Sequence, residues 1–404
     1  MITAITNARI FDGEREIGGQ TVLVDGVCIK NVGGEVPSGA SLIDARGATL
    51  MPGLIDSHVH TDMEGLHDAL LFGVTTELEM MGHWSRKERK RIAERDDVAD
   101  LRSPGMGVTP PGGHPTQYIK SSGNLLLRFF YRFPFVSTPE DAVKFVAKQV
   151  ANGADYIKVF MEDGTVLGNP GMPVLRDETL LTAVNEAHRH GKMVMGHATT
   201  AGYSRQLVEA GVDGLQHVPF DRPLAPEIIS AIAKSGAFVT PTLAVCSSAV
   251  GNNASHLALD ERVSSRLGKK WLKSLGNSVN CYPLGKLSDA FASVLALHQA
   301  GVDILAGTDV SEPIPSLGGL AHGASLHHEL QLLVEAGLSP LEALRSATSI
   351  PARRFGLTDR GRIVPGARAD LVLVDGDPTA NISDSLSIRS VWRHGVELKQ
   401  RNGN

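Results

Sequence analysis

Met51-Pro-Gly-Leu-Ile-Asp-Ser-His-Val-His60 decides how the rest of this chain is read. Leu54 and Ile55 predict a buried strand, with Pro52 and Gly53 at its entrance. Side chains on a strand alternate faces, so His58 and His60 point the same way, roughly 7 Å apart. Two imidazoles on one face at the end of an apolar strand can chelate one ion. In a chain with 15 histidines a lone His-x-His says little by itself. Its meaning depends on whether other strand ends supply further ligands.

Outward from that stretch, the texture differs on the two sides. Residues 1 to about 50 read as short strands, with 21–24 and 27–29 flanking Asp25-Gly26, a dipeptide suited to a tight hairpin turn. From residue 51 strand and helix alternate. A strand at 75–80 follows a helix at 64–72, and a strand at 105–109 follows a charged helix around 85–100. Thr138-Pro139-Glu140 opens a helix with an N-cap and a proline in the first turn. Strands at 155–160, 192–197, 214–218, 237–240 and 302–306 follow, separated by helices at 177–190, 203–210, 226–235 and 286–300. Ser339-Pro-Leu-Glu342 reads as a capping box for one more helix. Eight strands in alternation with helices predict an α/β fold, a closed (β/α)8 TIM barrel rather than a doubly wound sheet. Beyond residue 361 the short strands return. The expected domains are a barrel over 52–360 and a small β-sandwich formed by both chain ends, 1–51 and 361–404.

Composition narrows the function. Charged residues are 21% and hydrophobic ones 42%, which suits an ordinary globular protein. A net charge of -5, without a Lys/Arg stripe, argues against a nucleic-acid partner. The densest basic run, 86–91, is interrupted by Glu88 and reads as a solvated helix face. Cys28, Cys246 and Cys281 form no Cys-x-x-Cys pattern, so neither a disulfide framework nor a thiolate zinc site is expected. No signal peptide and no membrane-spanning stretch is apparent. The expectation is a soluble, cytoplasmic protein acting on a small molecule, with no membrane partner and compatible with a homo-oligomer.

In a barrel the active site lies at the C-terminal ends of the strands. Those ends carry His58 and His60 on the first strand, Lys158 on the fourth, His197 on the fifth, His217 on the sixth and Asp309 on the eighth. The second contributes Glu77 and Glu79, the third Thr109, and the seventh Thr240 and Thr242. Four histidines, a lysine and an aspartate on one rim predict a metal site.

The motifs that carry these residues resemble the amidohydrolase superfamily, in its imidazolonepropionase-like and Xaa-Pro dipeptidase-like branch. They are Pro52-Gly-Leu-Ile-Asp-Ser-His-Val-His60, Gly73-Val-Thr-Thr76, Gly112-Gly-His114, Gly153-Ala-Asp-Tyr-Ile-Lys158, Gly196-His-Ala198, Gly211-Val-Asp-Gly-Leu-Gln-His217, Gly307-Thr-Asp309, Gly361-Arg-Ile-Val-Pro-Gly366 and Ala369-Asp-Leu-Val372. The resemblance implies two divalent metal ions, one held by His58, His60 and Asp309 and the other by His197 and His217. Lys158 would bridge them as a carbamate formed with CO2. The other reading of Lys158 is a rim lysine paired with a carboxylate such as Glu162. Imidazole and carboxylate ligands without thiolate suit zinc, and also manganese, cobalt or iron.

The implied chemistry is metal-dependent hydrolysis of a C–N bond, amide or cyclic amide, by a bridging hydroxide, with Asp309 as general base and acid. His114 is either a hydrogen-bond donor to the oxyanion or a simple turn histidine. The alternative is a lactone or phosphoester hydrolase, or a decarboxylase, on the same site. One departure bears on substrate. Where the branch carries Val-Arg-Asp at the second strand end, this chain has Thr76-Glu-Leu-Glu79, so a cationic contact for a free carboxylate is missing. The aromatic run 125–136 is expected to form an apolar lid, and Tyr203, Phe220 and His322 to touch substrate. These features favour an amide-bearing small molecule with a hydrophobic portion.

Overall fold

The computed structural model describes residues 2–121 and 134–398. Most of the aromatic run 125–136 lies outside the described residues; of its end, Phe135 is exposed and Val136 buried. In chain order the strands are β1 (Ile2–Phe11), β2 (Glu16–Asp25), β3 (Cys28–Val32), β4 (Ser41–Asp44), β5 (Thr49–Pro52), β6 (Leu54–Val59), β7 (Val74–Glu79), β8 (Asp100–Arg102), β9 (Ile157–Phe160), β10 (Val194–His197), β11 (Gly214–Gln216), β12 (Phe238–Thr240), β13 (Leu371–Val374), β14 (Ile388–Arg393) and β15 (Val396–Glu397).

The two chain ends share one eight-stranded sheet, ordered β15-β14-β13-β5-β1-β2-β3 with β4 beside β1. The hairpin expected at Asp25-Gly26 joins β2 to β3, with Asp25 opposite Cys28 and Gly26 at φ 58°, a left-handed conformation that glycine adopts without strain. Cys28 also bridges Arg368, which brings the β3 edge back to the chain entering β13. The sheet therefore curls around its own apolar filling, which includes Ile5, Ile10, Val22, Leu371 and Trp392. Both chain ends, expected to form a small β-sandwich, thus contribute strands to one sheet.

Pro52 pairs with Leu371 at the margin of that sheet, and Gly53 donates its N–H to Asp370. A Cβ on Gly53 would fall 2.2 Å from Thr75 Oγ1, so only glycine lets the chain pass from β5 into β6 there. From β6 onward the fold is α/β, with two parallel sheets, β6-β7-β8 and β12-β11-β10-β9. Single parallel bridges connect further segments: Val108 to Val159, Val239 to Ile304 and Val59 to Val310. Helices fall between the strands close to the expected bounds, including Pro139–Ala151, Asp177–Arg189 and Pro226–Ser235.

Two strands differ from expectation. The third ladder lies at β8, not at 105–109, where Val108 makes only a single bridge. The preceding helix, opened by the Ser85/Glu88 capping box, spans only Arg86–Ala93, and Asp100 is pulled into register with Thr76. Asp100 is also clasped by Arg360 and Arg368, so buried charge anchors β8 to the chain that re-enters the curled sheet. The expected strand at 302–306 is a single bridge at Ile304. Among the described residues, no helix is long and apolar enough to cross a membrane.

Candidate metal centre

β6 delivers His58 and His60 to one side of a cleft, and the chain after Ile304 delivers Asp309 opposite them. Both Nε2 atoms meet the same carboxylate oxygen, Asp309 Oδ1, at 3.2 Å from His58 and 3.3 Å from His60. Backbone geometry makes this possible. Asp309 sits at φ 59° and donates its N–H to the His58 carbonyl at 2.7 Å. A Cβ at Gly307 would come within 2.8 Å of the His58 nitrogen, which explains the glycine in Gly307-Thr-Asp309. Asp56 clamps the same corner, accepting from the Thr308 hydroxyl at 2.8 Å and from the His58 N–H at 3.2 Å. His60 Nδ1 lies 3.2 Å from the Met81 carbonyl, an acceptor that places the proton on Nδ1 and leaves Nε2 bare.

His197 ends β10 and His217 follows β11. Their Nδ1 and Nε2 atoms, respectively, lie 2.9 Å apart. The Thr242 hydroxyl donates to the Pro241 carbonyl at 2.7 Å, so toward His217 Nδ1, also at 2.7 Å, it can only accept. His217 therefore carries its proton on Nδ1 and turns a bare Nε2 inward. His197 Nε2 faces Glu162 Oε2 at 3.5 Å without a hydrogen bond. Burial holds both imidazoles well below their ordinary pKa, so both are neutral and share at most one proton across the 2.9 Å contact. With the His197 proton turned outward to Nε2, two lone pairs face inward, a donor pair that suits a metal cation.

Lys158 on β9 is fully buried, and its Nζ has no hydrogen-bond partner. It is not paired with Glu162, whose oxygens accept from the Gly164 N–H and the Thr199 hydroxyl. Burial pushes the amine down to about 7, so a neutral, nucleophilic form is accessible near neutral pH. Burial, with Lys158 adding to it, pushes His58 down to about 4. Burial acts to raise the Asp309 carboxyl, but His58 and His60 hold it well below the usual carboxylate range. The cleft thus combines an ionised carboxylate with three imidazoles, His58, His197 and His217, that burial keeps neutral, while Asp309 raises His60 against its burial. His58, His217 and Asp309 offer ligand atoms all within 4.8 Å of one another, a group that could hold a metal ion.

A cavity of about 700 Å³ opens onto these residues. His114, Phe220 and His322 line it; Tyr203 does not, and its hydroxyl instead meets Asp163 at 3.4 Å. His114 stacks on His197 with ring centres 4.4 Å apart, its Nδ1 at 2.7 Å from the Gln117 amide. His322 is buried against Glu77, 3.1 Å from Nδ1 to the carboxylate. At the second strand end Glu79 lines the cavity and accepts from the Trp84 indole at 2.9 Å, and burial pushes its carboxyl up to about 7. Trp84 and Trp271 in the wall escaped the sequence reading. A signal was present, since these are two of only three tryptophans in the chain.

Ochratoxinase of Aspergillus niger is 23% identical to this chain over 401 residues, spanning 88% of this chain and 76% of its own. A solved Xaa-Pro dipeptidase with methionine bound in its active site superposes with a TM-score of 0.75 at 24% identity, covering 99% of this chain and 100% of that one. Phenylurea hydrolase B superposes with a TM-score of 0.75 at 23% identity, covering 98% and 97% of the two chains. At these identities the superpositions speak to the fold alone. Residues 49–398 match the pattern of the amidohydrolase family, and this chain belongs to that family.

Proposed function

We propose that this chain is a binuclear metal-dependent amidohydrolase that cleaves a C–N bond, amide or cyclic amide, in a small and partly hydrophobic molecule. The observation that carries this reading is the convergence of the His197 and His217 ring nitrogens, 2.9 Å apart, beside the ionised Asp309 with its two histidines and the buried Lys158 amine that no hydrogen bond satisfies. His58, His60 and Asp309 would hold one ion, His197 and His217 the second, and Lys158, as a CO2 carbamate, would reach both. The donor set suits zinc. Bound ions would acidify water to supply the nucleophile and polarise the scissile carbonyl.

The chain's own residues do the rest. Asp309 is placed to accept a proton from the attacking water and return it to the leaving nitrogen. His114, stacked over His197 in the cavity wall, is placed to donate to the carbonyl oxygen as charge builds there. Trp84, Trp271 and Phe220 supply an apolar wall, and Glu79 occupies the place where a cation would have received a free carboxylate. This supports a substrate with an apolar or aromatic group over a small charged dipeptide. The proposed frame is a closed (β/α)8 barrel over 52–360, supported by the three connecting bridges, with the chain ends as a separate β domain. Its three unpaired cysteines fit a reducing, cytoplasmic setting.

The test joins metal analysis with a substrate panel. Two ions per chain after reconstitution with zinc and bicarbonate, with turnover of N-acyl aryl amides exceeding that of charged dipeptides, is the expected result. Turnover of lactones or phosphotriesters without any amide would move the assignment to another bond. A protein that retains no ion would overturn it.

A further inference from the structure

Helix Leu243–Ala249 begins without a cap of its own. The residue before it, Thr242, is β-branched yet lies in the left-handed region at φ 54°, and its side chain makes no bond to the helix N-terminus. That combination is unusual, because threonine before a helix ordinarily caps it and avoids positive φ. The hydroxyl is engaged elsewhere, donating to Pro241 and accepting from His217 Nδ1. The cap comes instead from far along the chain. Glu329, fully buried on helix Ala324–Glu335, accepts the Leu243 N–H at 2.9 Å with one oxygen and the Ala244 N–H at 2.7 Å with the other.

We infer that Glu329 is a positioning residue for His217: by capping the helix it fixes Thr242 in its left-handed conformation and frees the Thr242 hydroxyl to set the His217 tautomer. The inference rests on the binuclear reading above. If Thr242 had to cap its own helix, its hydroxyl would turn to the Leu243–Ala249 amides. His217 Nδ1 would then lose its acceptor, and nothing would keep the Nε2 lone pair inward. On the binuclear reading, in which His217 serves only the second ion, the relay reaches one half of the metal centre, because His58, His60 and Asp309 are held by Asp56, Thr308 and Met81 instead. Removing it should weaken one ion and spare the other. Orienting partners of this kind are worth about 10–100-fold in metal affinity.

The experiment measures zinc per chain after dialysis, and the affinity of each site by competition with a chromophoric chelator. It compares the full-length wild type with Thr242→Val, Thr242→Ser, Glu329→Gln and the Thr242→Val/Glu329→Gln double variant. Glu329→Gln keeps the shape and one acceptor; Glu329→Asp, which withdraws the carboxyl group by one methylene, serves if the glutamine variant does not fold. The expected result is a loss of about 10–100-fold at one of the two sites for Thr242→Val and Glu329→Gln. The other site should be unchanged, and Thr242→Ser should recover wild-type affinity. Because Glu329 acts through Thr242, the double variant should be no worse than Thr242→Val. A wild type that holds two ions with unchanged affinities in the single variants overturns the relay alone. Multiplying losses in the double variant, or equal losses at both sites, also overturn it. A wild type that holds fewer than two ions overturns the binuclear reading and the relay with it.

Discussion

At the scale of single residues, the sharpest prediction concerns Asp309. Its carboxylate is shared by His58 and His60 and is held ionised, so it can serve as a ligand and as a proton acceptor. Asp309→Asn keeps the volume and the hydrogen-bonding backbone but removes the proton acceptor. Its kcat/KM on any turned-over amide should fall by about 10²–10⁴-fold, the usual contribution of a general base, with the melting temperature of the metal-free protein lowered at neutral pH, because the ionised carboxylate stabilises the fold. Residual activity within tenfold of wild type would place the base elsewhere. Tyr203→Phe is the matching control. Tyr203 does not line the cavity, so its loss should leave kcat and KM within about twofold, a change worth only ~0.4 kcal/mol. The contrast also marks what a sequence can reveal about a site. Lys158, His197 and His217 stand out in the sequence because each lies within two residues of the C-terminal end of a short apolar strand, Lys158 inside β9, His197 at the end of β10 and His217 just past β11. Tyr203 was read by the same proximity and lies outside the cavity, because nearness along the chain does not fix the direction of a helical side chain. Glu329 was illegible because its partners lie 86 and 85 positions away and are backbone amides, which leave no mark on the side-chain pattern.

At the scale of elements, the segment between β12 and helix Leu287–Gln299 was the least readable part of the chain, and it builds one part of the cavity wall. Its short helices have no strand periodicity to anchor them. Helix Lys269–Leu275 shows why it matters: adjacent residues face different problems. Lys270 reaches Glu64 on helix Met63–Leu71 at 2.7 Å, with both side chains about half exposed. Such a pair contributes about 0–1 kcal/mol. Trp271 is buried, lines the cavity, and sets its ring edgewise to His322 at 5.1 Å. Trp271 is only 4% exposed, so a bound aryl group meets little more than the edge of its ring, and removing it acts through the gap left in the wall. Trp271→Ala should therefore raise KM for an aryl amide more than it changes kcat, whereas Lys270→Ala should change either constant by less than about threefold. Equal effects of the two would mean that substrate is steered at the mouth rather than held against the wall. The misplaced third strand has a related cause. Local pattern favoured 105–109, but the pairing of Asp100 with Thr76 and the reach of Arg360 and Arg368 to Asp100 are long-range contacts that override it.

At the scale of the whole molecule, the buried ionisable groups set opposing slopes for stability against pH in the metal-free protein. Burial pushes His58, His327 and His328 down to about 4, and holds His114, His197 and His217 well below their ordinary value. In the unfolded chain these histidines bind protons below about 6.5. Between about 4 and 6.5 the unfolded state therefore holds more protons, and stability rises with pH. Burial acts oppositely on Asp56 and Glu329, raised to about 8, and on Glu79, raised to about 7. These carboxyls stay protonated in the fold well above about 4, where they ionise in the unfolded chain, so their contribution is lost as pH rises toward 8. His60 and His322, held above their ordinary value against burial by Asp309 and Glu77, add to that loss above 6.5. Lys158, pushed down to about 7 by burial, works the other way above 7, one group against several. Below 6.5 the histidines outnumber the carboxyls, and above it their contribution is flat while the carboxyls still lose ground. The melting temperature of the EDTA-treated protein should therefore peak near pH 6.5 and fall on both sides between pH 5 and 8. Zinc should displace the peak upward, because every ligand must be deprotonated to hold an ion. Melts recorded across that range, with and without zinc, check both halves of the argument. A metal-free profile that climbs without interruption to pH 8 would mean that Asp56 and Glu329 are ionised in the fold and that their buried charge is balanced by some other cation.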